Sequence, residues 1–181
     1  MKSKFAPSQI ALHWLVFILV AIAYTTIELR GYAGRGTALR ALMIGTHFSC
    51  GAAVLALMLT RIFLRLKHPQ PAITPPPPSW QLWLAKLVHW LIYLLFITLP
   101  VLGLTSRYLR GADWALFGIA MPTANPGGGD VAGDIIDWHK TLAPLGYWLI
   151  GLHAAAALFH HYFIKDNTLL RMMPARRNDA D

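Results

Sequence analysis

The 181-residue chain is short of cysteine, of charge and of acid. Its one cysteine, Cys50, permits no internal disulfide, and no Cys-x-x-Cys-His stretch offers an attachment point for a covalently held c-type haem. Only 13% of the residues are charged against 56% hydrophobic, which excludes an ordinary soluble domain. Mean hydropathy is +0.47. Eight acids against sixteen bases leave a net charge of +8. Those bases flank apolar runs and form no stripe beside exposed aromatics, so the surplus reports membrane topology and not nucleic-acid binding. No carboxylate stands in the interior of an apolar run, and no internal repeat is visible. The first run, preceded by Lys2 and Lys4, is too long for a signal peptide and lacks a small-x-small cleavage site after it, so it is read as a retained span.

What is present is apolar sequence in four runs, about 10–29, 41–64, 82–104 and 138–164. Each is long enough to cross a hydrocarbon core of about 30 Å as a helix. With both termini inside, ten bases fall on the inner side (Lys2, Lys4, Arg61, Arg65, Lys67, Lys86, Lys165, Arg171, Arg176, Arg177) and six outside (Arg30, Arg35, Arg40, Arg107, Arg110, Lys140), which favours cytoplasmic termini. The inner connection "KHPQPAITPPPPSW" reads as a semi-rigid polyproline linker between two helix pairs. In the outer connection, "DWALFGIAMP" is apolar enough to lie at the interface and "NPGGGDVAGD" has the turn chemistry of a mobile loop. Residues 1–181 are thus read as one all-α domain, an integral membrane four-helix bundle.

Eight histidines stand out in so apolar a chain. An ionisable side chain inside the bilayer is a functional candidate, although a neutral histidine bonded between helices is an inexpensive alternative. His13 falls near the inner end of the first span and His47 in the outer half of the second. In the fourth span His139 and His153 lie fourteen residues apart, about 21 Å of rise and about 40° short of four full turns. They share a face at two depths, and each depth has one partner: His47 with His139 outside, His13 with His153 inside. Two b-type haems, each held by two neutral imidazoles in the bundle core, suit that pattern. Zinc would want four ligands converging at one depth. Gly146, midway between His139 and His153, with Gly45 and Gly51 about His47, is read equally as clearance for the macrocycles or as small-residue helix packing. Arg61 lies fourteen residues from His47 at the inner level and, with Arg65, is a candidate for haem propionates; lipid headgroups are the rival partner. His89, His160 and His161 are candidates for propionates, a quinone headgroup or lipid phosphate, and His68 is read as solvated in the linker.

The stretches "IALHWLVFILVAIAY", "HFSCGAAVLALMLTRIFLRLKHP", "LVHWLIYLLFITLPVLGL" and "WHKTLAPLGYWLIGLHAAAALFHHYFIKDNTLLRMMP" resemble the bacterial cytochrome b561 family, most closely its small di-haem branch that oxidises superoxide. The resemblance runs from Ser8 to Pro174 and is weakest between Asn125 and Gly133. It implies His13 and His153 as ligands of one haem b and His47 and His139 of the other, the same pairs as the depth argument. It further implies a bacterial inner-membrane protein that takes electrons from superoxide at the periplasmic face and passes them through both haems to ubiquinone. An iron with two imidazole ligands has no open position, so the expected chemistry is outer-sphere transfer at the haem edge, with no catalytic side chain assigned. The alternative is a cytochrome b anchor subunit carrying electrons from a periplasmic dehydrogenase or hydrogenase to quinone.

Overall fold

The computed structural model describes residues 4–124 and 128–174. Lys2, Arg176 and Arg177, and the start of the outer glycine stretch, lie outside them. Four helical spans alternate in direction. The end holding the N-terminus and the close of the last span is called inner below.

Helix α1 (Pro7–Leu29) starts with proline at its first position, where no helical N–H is needed, and the Gln9 side chain accepts from the Ala6 N–H at 3.2 Å. Helix α2 (Ala38–Lys67) is capped by Thr37, whose hydroxyl accepts from the Arg40 N–H at 3.3 Å, and closes with Arg65 and Lys67 beside its negative dipole end. The prolines before Ser79 cannot continue a helix, and α3 (Ser79–Leu109) begins directly after them.

The outer connection departs from its expected form in two places. Trp114–Met121 folds as a tight hairpin, β1 (Ala115–Leu116) against antiparallel β2 (Ile119–Ala120). Its turn residues Phe117 and Gly118 both have positive φ, 52° and 82°, as a hairpin with the right-handed twist requires. Residues 129–134, expected as mobile loop, instead open α4 (Gly129–Leu142). Asp130 suits the positive end of that helix, and Ala132, fully buried, accepts at its carbonyl from Ser106 Oγ at 2.8 Å. This contact with α3 holds a glycine-rich first turn that local propensity alone would leave open.

The fourth span is broken at Pro144 into α4 and α5 (Leu145–Phe159), because proline has no N–H for the preceding turn. The Ala143 carbonyl at the break accepts from Gly146 N–H at 3.0 Å and from the Tyr24 hydroxyl of α1 at 2.7 Å. Gly146 is needed for that contact: a Cβ there would stand 2.1 Å from the Tyr24 oxygen. Its glycine is thus explained by packing against Tyr24, whereas Gly45 and Gly51 face open space. After a π turn (His160–Ile164) the left-handed Lys165, φ 59°, ends the span.

The core of Val16, Val20, Val54, Met58 and Phe96 lies midway along α1, α2 and α3. Most remaining apolar surface faces outward, including Trp80, Trp83, Trp90, Trp138 and Trp148, as expected of helices solvated by lipid. Helices α4 and α5 pack chiefly on α3, and the space left between them and α1 and α2 is where the histidines meet.

Candidate functional site

At the outer end, His47 of α2 faces His139 of α4 with ring centroids 6.2 Å apart and planes at 85°. Each imidazole is held by a backbone carbonyl: His47 Nδ1 to Ala23 at 2.9 Å, His139 Nδ1 to Leu99 at 2.8 Å. A carbonyl only accepts, so Nδ1 carries the proton in both rings and Nε2 keeps its lone pair. That is the tautomer a metal-binding histidine takes when its other nitrogen is anchored. Gly103 of α3 makes room for the arrangement, since a Cβ there would stand 3.2 Å from His139 Cε1.

At the inner end, His13 of α1 faces His153 of α5 with centroids 6.1 Å apart, and His89 of α3 packs against His153 at 5.1 Å. His13 Nδ1 is buried with no hydrogen-bond partner among the described residues. All three rings line a cavity of about 410 Å³ that also takes in Arg61, Arg65 and Arg171. Arg61 and Arg65 each lie 5.9 Å from the centre of the Tyr93 ring, while Arg171 donates to the Pro71 carbonyl and lies 5.5 Å from Phe5.

A metal ion bound from opposite sides by two imidazoles through bonds of about 2.0 Å holds the ring centroids about 6.3 Å apart. His47–His139 and His13–His153 stand at that spacing; His89–His153 is about an ångström too close. Among the described residues no group of three or more His, Cys, Asp or Glu side chains converges to hold a metal, so the arrangement offers pairs and no tetrahedral cluster.

Comparison with known proteins gives the family of the chain. The family model for prokaryotic cytochrome b561 matches residues 4–175. The chain belongs to that family. It is 50% identical to the probable superoxide oxidase CybB of Yersinia pestis, over 98% of this chain and 99% of that protein. It is 41% identical to cytochrome b561 homolog 1 of Escherichia coli K12, over 97% and 99%, and 34% identical to cytochrome b562 of Cereibacter sphaeroides, over 93% and 94%. Membership makes the chain a multi-pass membrane electron-transfer protein of a haem b family, in accord with its four apolar spans.

The residues present fit haem b. Two imidazole pairs have the spacing of axial ligands, and the arginine-lined inner cavity suits a macrocycle's carboxylates. Of the other predicted residues, His160 lines a cavity shared with His89 and His153 and is bonded through Nδ1 to Asp166 at 2.6 Å, and His161 packs on Tyr162. His68 is exposed in the linker. The outer cations divide: Arg30 and Arg40 donate to backbone carbonyls at the end of α1, and Lys140 pairs with Asp137 at 3.0 Å. Arg107 lies 5.7 Å from the centre of the Phe48 ring, the neighbour of His47 in the chain, while donating to the Asp113 carbonyl, and Arg30 is the outer cation whose charge reaches His47. Arg35 and Arg110 are exposed.

Sequence reasoning missed Tyr24, Gly103, Arg171 and Asp166. Arg171 and Asp166 carry a readable signal, as charged residues directly after the last span. Gly103 and the carbonyls of Ala23 and Leu99 carry none, because any residue supplies a carbonyl.

Proposed function

We propose that the chain is a di-haem superoxide:quinone oxidoreductase of the bacterial inner membrane, with both termini cytoplasmic. His47 and His139 hold one haem b at the outer, periplasmic end, and His13 and His153 hold the second at the inner end. The observation that carries this reading is the spacing of the two imidazole pairs, 6.2 Å and 6.1 Å, at opposite ends of one bundle. The name of the Yersinia pestis relative supports superoxide as donor.

A haem b held by such a pair of imidazoles would supply one-electron exchange. The chain's part is to hold, orient and steer. The carbonyls of Ala23 and Leu99 fix the outer imidazoles in the metal-binding tautomer. Arg107, over the Phe48 ring, and Arg30, whose charge reaches His47, set cations at the outer end for an anion such as superoxide, and their attraction weakens as salt rises. Arg61, Arg65 and Arg171 balance carboxylates at the inner level. In the overall reaction two superoxide anions each lose one electron and leave as oxygen, and one ubiquinone takes both electrons and two protons to become the quinol.

The test is anaerobic mixing of the oxidised, purified protein with superoxide, followed by a short-chain ubiquinone. A b-type spectrum that reduces and then re-oxidises supports the reading. A spectrum that stays oxidised after the superoxide pulse overturns it, and co-purification with a stoichiometric dehydrogenase or hydrogenase subunit would then make the chain a membrane anchor.

A further inference from the structure

After the last span the chain turns back on the bundle. Lys165 reverses it in the left-handed conformation, and Asp166 fixes the reversal: its N–H bonds the His160 carbonyl at 3.2 Å and its carboxylate accepts from the Thr168 N–H at 2.8 Å. Residues 166–174 then cross the inner end as a strap, with one short helical turn at Leu170–Met172. This strap is fastened to separate parts of the chain. On the proline linker, the Asn167 N–H donates to the Thr74 carbonyl at 3.2 Å, and the Asn167 side-chain oxygen accepts from the Thr74 N–H at 2.9 Å. At the N-terminal side, the Arg171 carbonyl accepts from the Phe5 N–H at 3.1 Å and the Met172 carbonyl from the Trp14 indole N–H at 2.9 Å.

The strap is also a wall. Thr168, Leu169, Arg171 and Met172 line the cavity of about 410 Å³ that His13, His89 and His153 share. Arg171 is only 9% exposed; its guanidinium donates to the Pro71 carbonyl, but its Nε is buried with no hydrogen-bond partner among the described residues. Closing the strap thus brings a third guanidinium to a cavity whose lining already includes Arg61 and Arg65 and no acid. A buried donor without an acceptor and like charges around one cavity both oppose closure. A carboxylate inside the cavity reverses both effects, because it accepts from Nε and balances the charge.

We propose that residues 166–174 are a strap that closes once the inner macrocycle is in place, with Asn167 positioning Arg171 to hold one of that macrocycle's carboxylates and so lock it in. The inference rests on the di-haem reading above and deepens it. The inner macrocycle then enters before the strap is fastened and leaves when the strap opens. Asn167 does not itself line the cavity, so changing it loosens the strap and leaves the wall intact. The outer pair, at the far end of the bundle, is the internal control.

The experiment measures release of each haem from the purified full-length holoprotein to excess apomyoglobin, following the two α-band components separately, in wild type, Asn167→Ala, Arg171→Gln and Arg171→Lys. Midpoint potentials are titrated on the same samples. Hydrogen exchange of the strap is compared between wild type and His13→Ala, which on the same reading keeps only the outer haem, and that retained haem reports an intact fold. The inference expects inner-haem release to quicken tenfold or more in Asn167→Ala and Arg171→Gln, less in Arg171→Lys, with outer-haem release unchanged. It expects the inner midpoint to fall in Arg171→Gln and, by less, in Asn167→Ala, because a cation near the macrocycle favours its reduced form; loosened packing alone would not follow that order. The amides of Asn167, Arg171 and Met172 should be protected in wild type and exchange at least tenfold faster in His13→Ala. Inner-haem release at the wild-type rate from fully loaded Asn167→Ala, or equal protection of the strap in wild type and His13→Ala, overturns the inference alone. A wild-type protein with no haem at the inner pair overturns the reading beneath it as well.

Discussion

The two ends of the bundle hold histidines at nearly the same spacing, yet they are built differently. At the outer end each imidazole of the pair is tied through Nδ1 to a carbonyl of a neighbouring helix, and Gly103 is fitted against one of them. At the inner end three rings share a wide cavity with three arginines, and His13 Nδ1 has no partner among the described residues. The contrast teaches that the outer pair is fixed before any cofactor arrives. The inner end has more polar groups in one cavity, which the proposed function uses for a macrocycle's carboxylates. On the proposed function, the outer end meets a small diffusing anion and needs only a rigid edge, whereas the inner end exchanges a two-electron, two-proton carrier and needs room.

The largest expected effect breaks the comparison at its base. His47→Ala and His139→Ala should each remove the same haem, His13→Ala and His153→Ala the other, and His89→Ala neither, because its 5.1 Å approach to His153 leaves no space for a metal between them. Redox titration of the α-band, following which component disappears, checks this; loss of the inner component in His89→Ala with retention in His13→Ala would reassign the pair.

Next in size is Gly146→Ala, which drives a methyl into the Tyr24 hydroxyl between the two levels and should cost about 1–3 kcal/mol. Thermal loss of haem absorbance reports it. Combining it with Tyr24→Phe, which removes the colliding oxygen, should restore part of the lost stability.

The asymmetry of charge gives a smaller, kinetic effect. Arg107→Gln should slow reduction by superoxide several-fold at low salt and flatten its salt dependence, while Lys140→Gln, whose ammonium is already paired with Asp137, should do little. Equal effects of the two would replace local placement by overall charge. Smallest is Ser106→Ala, which removes the buried bond to the Ala132 carbonyl and should cost about 1 kcal/mol in the same thermal assay.

The four spans and the meeting of His47 with His139 and His13 with His153 were legible because both follow from helix rise and apolar run length, which sequence carries directly. The early start of α4 was not, since "GGDVAGD" has the local chemistry of a loop and becomes helix through Ser106, 26 residues away. His89 was read as a candidate for propionates, a quinone headgroup or lipid phosphate, and only the packing of α3 on α5 brings it against His153. The clearance given by Gly146 was visible as a gap in side-chain size, but its occupant, Tyr24, lies on another helix. The carbonyl anchors of the outer pair leave no mark in residue type at all.

The central claim, one haem b at each end of the bundle, is tested most directly by the haem-to-protein ratio of the purified full-length chain in a pyridine haemochrome assay. The account predicts two non-covalent haem b per chain, falling to one in His47→Ala and to one in His13→Ala. A wild-type ratio of one or none, or a ratio of two that survives both substitutions, would contradict it.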